Sequence, residues 1–507
     1  MASGKNVLDF PPKGNSLTAH SHHHPSSPPL PDALYNQVTA FVNERMGLHF
    51  PIERRTDLER GLHAAARERG QRHVEDYVAW LLSTPLSKLQ IEELAGHLTI
   101  GETYFFRNPE QFTLLEHRVI PELIHQKAKD EKRLRIWCAG CSTGEEPYSV
   151  AISLKRALPD LANWKITILA TDINGHFLKQ AENACYSEWS FRNAPPWLKE
   201  GYFRRHNSGH WKLNNAIREM VVFEHLNLAE DPYPSLVNNT SAMDIIFCRN
   251  VLIYFDAPHA KRVASGFYRS LLETGWLFVG PTDTFIYQET EFGPAEEEHI
   301  TCYRRRAPKI KTPLSEVRPH TPHPPPSAPL QVTHADQVGK HALSLYHKGR
   351  YEEAIALLLN DLAKLAEKHY ATDHDVQNMA LLARLYANLG HLKDSLDCCN
   401  QAIAHDKVNA RYHYLKATIL QERGELDKTR ETLRRTLFLD QKFIIAQFAM
   451  GNVERIAGKN VEAQRHFENA LGLLKLHTRN ELVPESDGLT AGRLEELVIS
   501  VLNEMRE

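Results

Sequence analysis

No apolar run in this 507-residue chain approaches the roughly 18 residues of a membrane-spanning helix. The N-terminus also lacks the basic-then-apolar order of a secretory signal. Both absences predict a soluble, cytoplasmic protein. An excess of charge of one sign is missing too: the formal net charge is −3, which gives no basis for wholesale nucleic-acid binding. Seven cysteines make an odd count, and their spacing is not that of a disulfide framework. Cys138 and Cys141 form a C-x-x-C, but no second pair or nearby His completes a tetrahedral site. They read as small residues lining a turn, with no metal predicted.

What is present suffices for several cores. At roughly 100–200 residues per domain the length predicts three or four units, and 42% hydrophobic content is ordinary for a globular protein. Residues 1–31 are rich in Pro, Ser, Gly and His, and predict a disordered polar tail; metal binding by His20, His22, His23 and His24 is the alternative. Residues 32–99 have helical spacing (Tyr35, Val38, Val42; Leu58, Leu62, Ala65; Tyr77, Trp80, Leu81) and predict a small helical domain. Residues 100–307 alternate apolar strands with amphipathic helices, which predicts α/β architecture on a mainly parallel sheet. Within it, residues 187–223 break the alternation with Pro195-Pro196, Trp197, Tyr202, Phe203 and Trp211, and read as an inserted subdomain of short antiparallel strands. Residues 308–333, dense in Pro and His, predict an extended linker.

A repeat follows over residues 334–480. Gly390, Gly424 and Gly458 are 34 residues apart; Ala383, Ala417 and Gly451 keep the step, as do Ala402, Thr436 and Ala470. That period, with small residues at helix crossings, is that of tetratricopeptide repeats, an α-solenoid. Gly349, Tyr351 and Ala354 mark an earlier, irregularly spaced copy. Ser395 and Thr429 stand where Ala is usual, and Lys407 and Gln441 where Pro is usual. In residues 481–507, Leu494, Leu497, Val498, Val501, Leu502 and Met505 share one helical stripe, which fits a cap on the last repeat or a partner-binding helix.

The chemistry concentrates in residues 100–307. An apolar strand runs into Ala139-Gly140-Cys141-Ser142-Thr143-Gly144, and a helix begins at Glu145-Glu146. Gly140, Ser142 and Gly144, two apart, let backbone amides approach a ligand. A second apolar strand ends at Asp172, where a βαβ nucleoside fold places the acceptor for ribose hydroxyls. Any tight strand-to-helix turn uses Gly and Ser, so the turn alone does not decide. A third strand, Asp244-Ile245-Ile246-Phe247-Cys248, leads into Arg249-Asn250, at the carboxyl end where open parallel sheets bind ligands.

Four segments together resemble the CheR-type chemotaxis receptor methyltransferases. They are Thr103-Tyr104-Phe105-Phe106-Arg107, Ser142-Thr143-Gly144-Glu145-Glu146-Pro147-Tyr148-Ser149, Ala170-Thr171-Asp172-Ile173, and Phe247-Cys248-Arg249-Asn250-Val251-Leu252-Ile253-Tyr254-Phe255. The resemblance covers residues 32–305, and the repeats resemble the extension of a subset of that family. It implies a helical N-terminal domain, an S-adenosylmethionine-binding α/β domain with an inserted β-subdomain, and methyl transfer to receptor glutamates. It further implies that Ala139 and Gly140 cradle the methionine part of the donor, with Glu145 near its amino group. Asp172 would accept from the ribose, Asn227 and Leu228 would border the adenine, and Arg249 and Asn250 would close the pocket. Thr103 would face the cofactor, and Arg107 and Tyr254 would flank the transferring methyl. Gly101 stands where the family often has Asn, so that polar contact is absent or made by backbone.

The reaction so implied asks little of a general base, since a glutamate is already a carboxylate at neutral pH. Arg107 would fix the substrate carboxylate and Tyr254 would orient it. On the N-terminal helix, Arg60 and Arg67 share a face that would meet acidic receptor helices or simply be solvated. The insertion offers a β-type docking edge, or plain packing. A small-molecule methyltransferase and a catalytically inactive repeat scaffold are the competing readings.

Overall fold

The computed structural model describes residues 29–84, 86–127, 132–158, 160–206, 209–235, 238–283, 292–295, 300–305, 334–363 and 372–505. Most of the N-terminal tail (residues 1–28) and the Pro/His-rich linker lie outside the described residues.

Four helices come first: α1 (Asp32–Met46), α2 (Arg55–Glu68), α3 (Val74–Ser83) and α4 (Lys88–Leu98). Their apolar stripes meet in one core that contains Tyr35, Val38, Val42, Leu58, Leu62, Tyr77 and Leu81. A side chain on Gly61 would strike the His97 carbonyl at 2.7 Å, so glycine is what lets α2 pack onto the end of α4. Ser87 caps α4 in a reciprocal capping box with Gln90.

The α/β unit follows with α5 (Pro109–Leu114), α6 (Ile120–Lys127), β1 (Arg133–Ala139), α7 (Glu145–Ala157), β2 (Lys165–Asp172), α8 (Gly175–Asn183), β3 (Cys185–Tyr186), α9 (Trp197–Tyr202), β4 (Phe203–Arg205), β5 (Trp211–Leu213), α10 (Asn215–Arg218), β6 (Val221–His225), β7 (Met243–Cys248), α11 (Ala257–Ser270), β8 (Leu271–Val279), β9 (Phe292–Pro294) and β10 (Cys302–Arg305). The main sheet has seven strands in the order β6-β2-β1-β7-β8-β10-β9. The first five are parallel, and β10 and β9 complete it antiparallel. Every residue of β1 and β7 is buried, as strands covered on both faces require. The order places the carboxyl ends of β6, β2, β1 and β7 side by side.

The inserted strands form a separate antiparallel sheet, β3-β5-β4. The sequence reading carried the insertion to Phe223, but Phe223 belongs to β6 of the main sheet, paired with Ala170. Alternating burial along β6 marks it as an edge strand, which its sequence does not separate from the insertion's short strands.

The repeats are helical hairpins: α12 (His334–His347) with α13 (Tyr351–Ala363), α14 (Asp373–Asn388) with α15 (Leu392–His405), α16 (Ala410–Glu422) with α17 (Leu426–Leu439), and α18 (Ile444–Ile456) with α19 (Asn460–Leu474). Gly349, Gly390, Gly424 and Gly458 all sit at φ near +70° in the turns inside these hairpins, a left-handed conformation that costs glycine nothing. The same turn geometry recurs at Gly390, Gly424 and Gly458 because the 34-residue step returns each to one structural position, and Gly349 takes the same conformation across a 41-residue step. Ser395 and Thr429 are buried where alanine is usual, and their hydroxyls donate to the carbonyls of Ala383 (2.7 Å) and Glu425 (3.0 Å). A last helix, α20 (Ala491–Glu504), lays Leu494, Val498 and Leu502 against the core that holds Phe443 and Phe467.

Candidate functional site

Where β1 ends, the backbone N–H groups of Gly140 and Cys141 both donate to the Thr171 carbonyl, at 2.8 and 2.9 Å. This folds the turn over the end of β2. Ser142 then adopts φ 49° and donates its N–H to Asp172 Oδ2 at 2.8 Å. Asn174 N–H donates to the other carboxylate oxygen at 2.9 Å. One acid therefore ties two strand ends together. A side chain on Gly140 (φ 75°) would come within 2.4 Å of Val251, so only glycine lets this turn and the loop after β7 share a wall.

The segment from Thr103 to Arg107 is held from both sides. Phe105 packs at ring centroid distances of 4.9–5.1 Å on Tyr186, Phe191 and Phe203 of the inserted subdomain. Phe106 (φ 55°) donates its N–H to Ser149 Oγ on α7 at 3.0 Å. A non-glycine residue in that conformation is strained, and the aromatic packing holds it. Arg249, buried at the end of β7, donates to Glu146 Oε2 (2.5 Å), to Gln111 Oε1 (3.1 Å) and to the Arg107 carbonyl. It braces the Arg107 loop against α7.

Thr103, Arg107, Gly140, Asp172, Asn227, Leu228, Arg249, Asn250 and Tyr254 line one cavity of about 200 Å³ at the carboxyl edge of the sheet. Gly101, Ala139 and Glu145 do not. Ala139 is fully buried behind the wall, in a core with Trp137, Leu169 and Leu226. Gly101 packs on Phe177, whose ring would lie 2.6 Å from a side chain placed there, and Phe177 lines the cavity instead. Glu145 accepts from Thr143 Oγ1 at 2.6 Å and faces Ser190 and Arg192 of the insertion. Neighbouring helix residues point in different directions, so it is Glu146 that lines the cavity. Asn227 spends its side chain elsewhere: Nδ2 donates to the Arg45 carbonyl of α1 (2.7 Å), and Oδ1 accepts from Ala229 N–H.

The sequence reading also missed the first helical unit's share of the wall. Met46, Leu48, Phe50 and Arg54 line the cavity, and His49 N–H donates to the Tyr254 carbonyl at 2.6 Å. Arg54 lies 5.3 Å from the Tyr254 ring centroid. A signal was available, since Leu48 and Phe50 are apolar residues beyond the end of α1 and outside its stripe.

Burial governs the electrostatics. It raises the Asp172 carboxyl against the backbone donors that hold it down, and it raises Glu145. Asp283, which accepts from Asn250 N–H (2.6 Å) and Gly280 N–H (3.1 Å) behind the cavity wall, is pushed up to about 6. The thiols of Cys138 and Cys141 are driven far up by burial, so neither is a reactive thiolate at neutral pH. Among the described residues no group of three or more His, Cys, Asp or Glu is arranged to hold a metal ion.

Ser142 Oγ, Glu146 Oε1 and Asn250 Oδ1 are buried at this cavity with no hydrogen-bond partner. Buried polar atoms are normally satisfied, so these point to a ligand that donates hydrogen bonds. An ammonium and ribose hydroxyls supply such donors, and the residues present fit S-adenosylmethionine.

A mainly parallel sheet with a glycine turn after its first strand and an acid at the end of its second, both facing one cavity, is the architecture of the S-adenosylmethionine-dependent methyltransferases. Residues 101–300 match the family described as "CheR methyltransferase, SAM binding domain". A chemotaxis protein methyltransferase of Borreliella burgdorferi is 30% identical over 251 residues, 49% of this chain and 87% of that protein. Chemotaxis protein methyltransferase 1 of Pseudomonas aeruginosa is 37% identical over 38% of this chain and 69% of its own length. The probable biofilm formation methyltransferase WspC of Pseudomonas putida is 29% identical over 79% of this chain and 89% of that protein. Among solved structures, one described as the crystal structure of MamA aligns with 35% of this chain and 95% of its own at 15% identity, with a TM-score of 0.25. The chain belongs to the CheR methyltransferase family.

Proposed function

We propose that this protein transfers a methyl group from S-adenosylmethionine to glutamate side chains of a chemoreceptor-like protein, forming glutamyl methyl esters in chemosensory adaptation. The observation that carries the reading is the single cavity shared by Asp172, Glu146 and Ser142 with Arg107 and Tyr254. Asp172 would hold the ribose hydroxyls, Glu146 and Ser142 the ammonium, and Leu228 the adenine. The bound donor supplies a methyl group already activated by its sulfonium. The acceptor is already a carboxylate near neutral pH, so Arg107 and Tyr254 serve to orient it rather than to remove a proton. The helical unit and the insertion exclude water around it, through Phe50 on one side and the Phe105 cluster on the other.

The repeats are read as a protein-contact module. All seven cysteines are free, which supports a reducing compartment, the cytoplasm. The test uses donor labelled in the methyl group with a membrane fraction containing chemoreceptors. Label on the receptor that is released by mild base supports the ester. Label found only in small molecules would overturn the reading.

A further inference from the structure

The first helices of successive hairpins, α12, α14 and α16, line a groove of about 1010 Å³, closed on one side by residues 232–234 of the α/β unit. A segment of the chain's own C-terminal region enters this groove. A bridge between Leu482 and Thr490 closes it into a loop, and Val483 N–H donates to the Leu489 carbonyl at 2.9 Å. Val483 and Leu489 bury themselves in the core of the last repeats, and the acidic tip is presented to cations. Arg384 of α14 pairs with Glu485 and with Asp487 (3.7 Å), and Arg411 of α16 lies 3.8 Å from Glu485. Glu485 (φ 62°) and Asp487 (φ 55°) are both left-handed, a conformation disfavoured for these residues, so the tip is held against local strain. A groove with two arginines, an acidic occupant and space beside it has the attributes of a peptide site already filled.

We propose that this groove binds an extended acidic peptide of a partner protein, and that residues 482–490 are its built-in competitor. The proposal rests on the reading of the repeats as a contact module, and not on methyl transfer. A partner peptide that puts carboxylates against Arg384 and Arg411 displaces Glu485 and Asp487.

The probe is a fluorescent synthetic peptide copying residues 481–490, titrated by anisotropy into the full chain. The E485Q/D487N variant, whose internal competitor is weakened, is expected to bind it about tenfold more tightly than the unaltered chain. Adding Arg384→Gln to that variant is expected to abolish binding, and a probe with Gln and Asn in place of its acids is expected not to bind. Equal affinity of all the chains, or equal binding of the neutral probe, would overturn the proposal. Hydrogen exchange on the unaltered chain keeps the test decisive should a variant not fold. Saturating probe must accelerate exchange across residues 482–490, and unchanged exchange there refutes displacement. Peptide binding without receptor methylation would sink the proposed reaction and leave this site standing; methylation without peptide binding would do the reverse.

Discussion

Asp172 takes Ser142 N–H on one carboxylate oxygen and Asn174 N–H on the other, and the residue lines the cavity. Removing that carboxylate takes the turn's anchor at Ser142 and, on the proposed reading, the donor's ribose contacts. Asp172→Ala is expected to weaken donor binding by about 1.5–3 kcal/mol in calorimetry. Arg107→Ala should leave donor affinity near its original value and lower turnover about 100-fold, as loss of substrate positioning does. Full turnover in that variant would remove Arg107 from the reaction. The two neighbouring acids separate in the same assay: Glu146→Gln should raise the donor Kd about tenfold, and Glu145→Gln, which faces Thr143, should change it little. Asp283 makes a pH prediction. Its pKa rises from 3.8 to about 6 on folding, so the folded chain holds that proton more tightly. Stability from this group is full below about pH 4 and is lost as pH rises through about 6, by about 3 kcal/mol in all. Urea unfolding from pH 4 to 7 should show that slope in the original chain and not in Asp283→Asn.

At the scale of elements, the repeats dock on the amino edge of the sheet, away from the cavity. Their turns do the docking. Gly349 lies against Arg269 and Gly390 against Leu272, and the Arg423 carbonyl accepts from Lys165 at 2.8 Å. Glu422, at the end of α16, pairs with Arg133 (3.0 Å) and Arg135 (2.9 Å) at the start of β1, and all three side chains are nearly buried. Breaking a buried pair strands the remaining charges. Glu422→Gln is therefore expected to destabilise the chain by about 3–5 kcal/mol in chemical unfolding. A loss under 1 kcal/mol would mean that solvent reaches those arginines. None of this contact was legible in the sequence, because Arg133 and Glu422 are 289 residues apart and each alone reads as an ordinary surface charge.

At the scale of the molecule, α20 connects the repeats to the cavity. Arg493 grips Asp231 with two hydrogen bonds (2.7 and 2.8 Å), and Asp231 accepts the N–H of Asn227 at 2.6 Å, in the cavity wall. The C-terminal stripe read as a cap does cover α19, and it also carries this arm. Arg493→Ala is expected to weaken donor binding about three- to tenfold. Arg479→Ala, which frees Glu495 and leaves Glu496 to Arg493 (3.5 Å), should weaken it less than Arg493→Ala does. Equal effects would make the Arg493 contact merely structural.

What the sequence by itself determined is the part written in local chemistry. Glycine turns, strand-end polar residues and a 34-residue period each depend on backbone geometry within a few residues, so the sheet, the glycine turn after β1, the place of Asp172 at the end of β2 and the hairpin stack were all legible. The tertiary structure decided which face each residue presents. It turned Glu146 rather than Glu145 to the cavity, brought Leu48 and Phe50 in from the helical unit, and committed the Asn227 side chain to α1. It also laid an acidic loop of the chain's own across the repeat groove. These outcomes depend on packing between segments distant in the chain, which no spacing along it encodes.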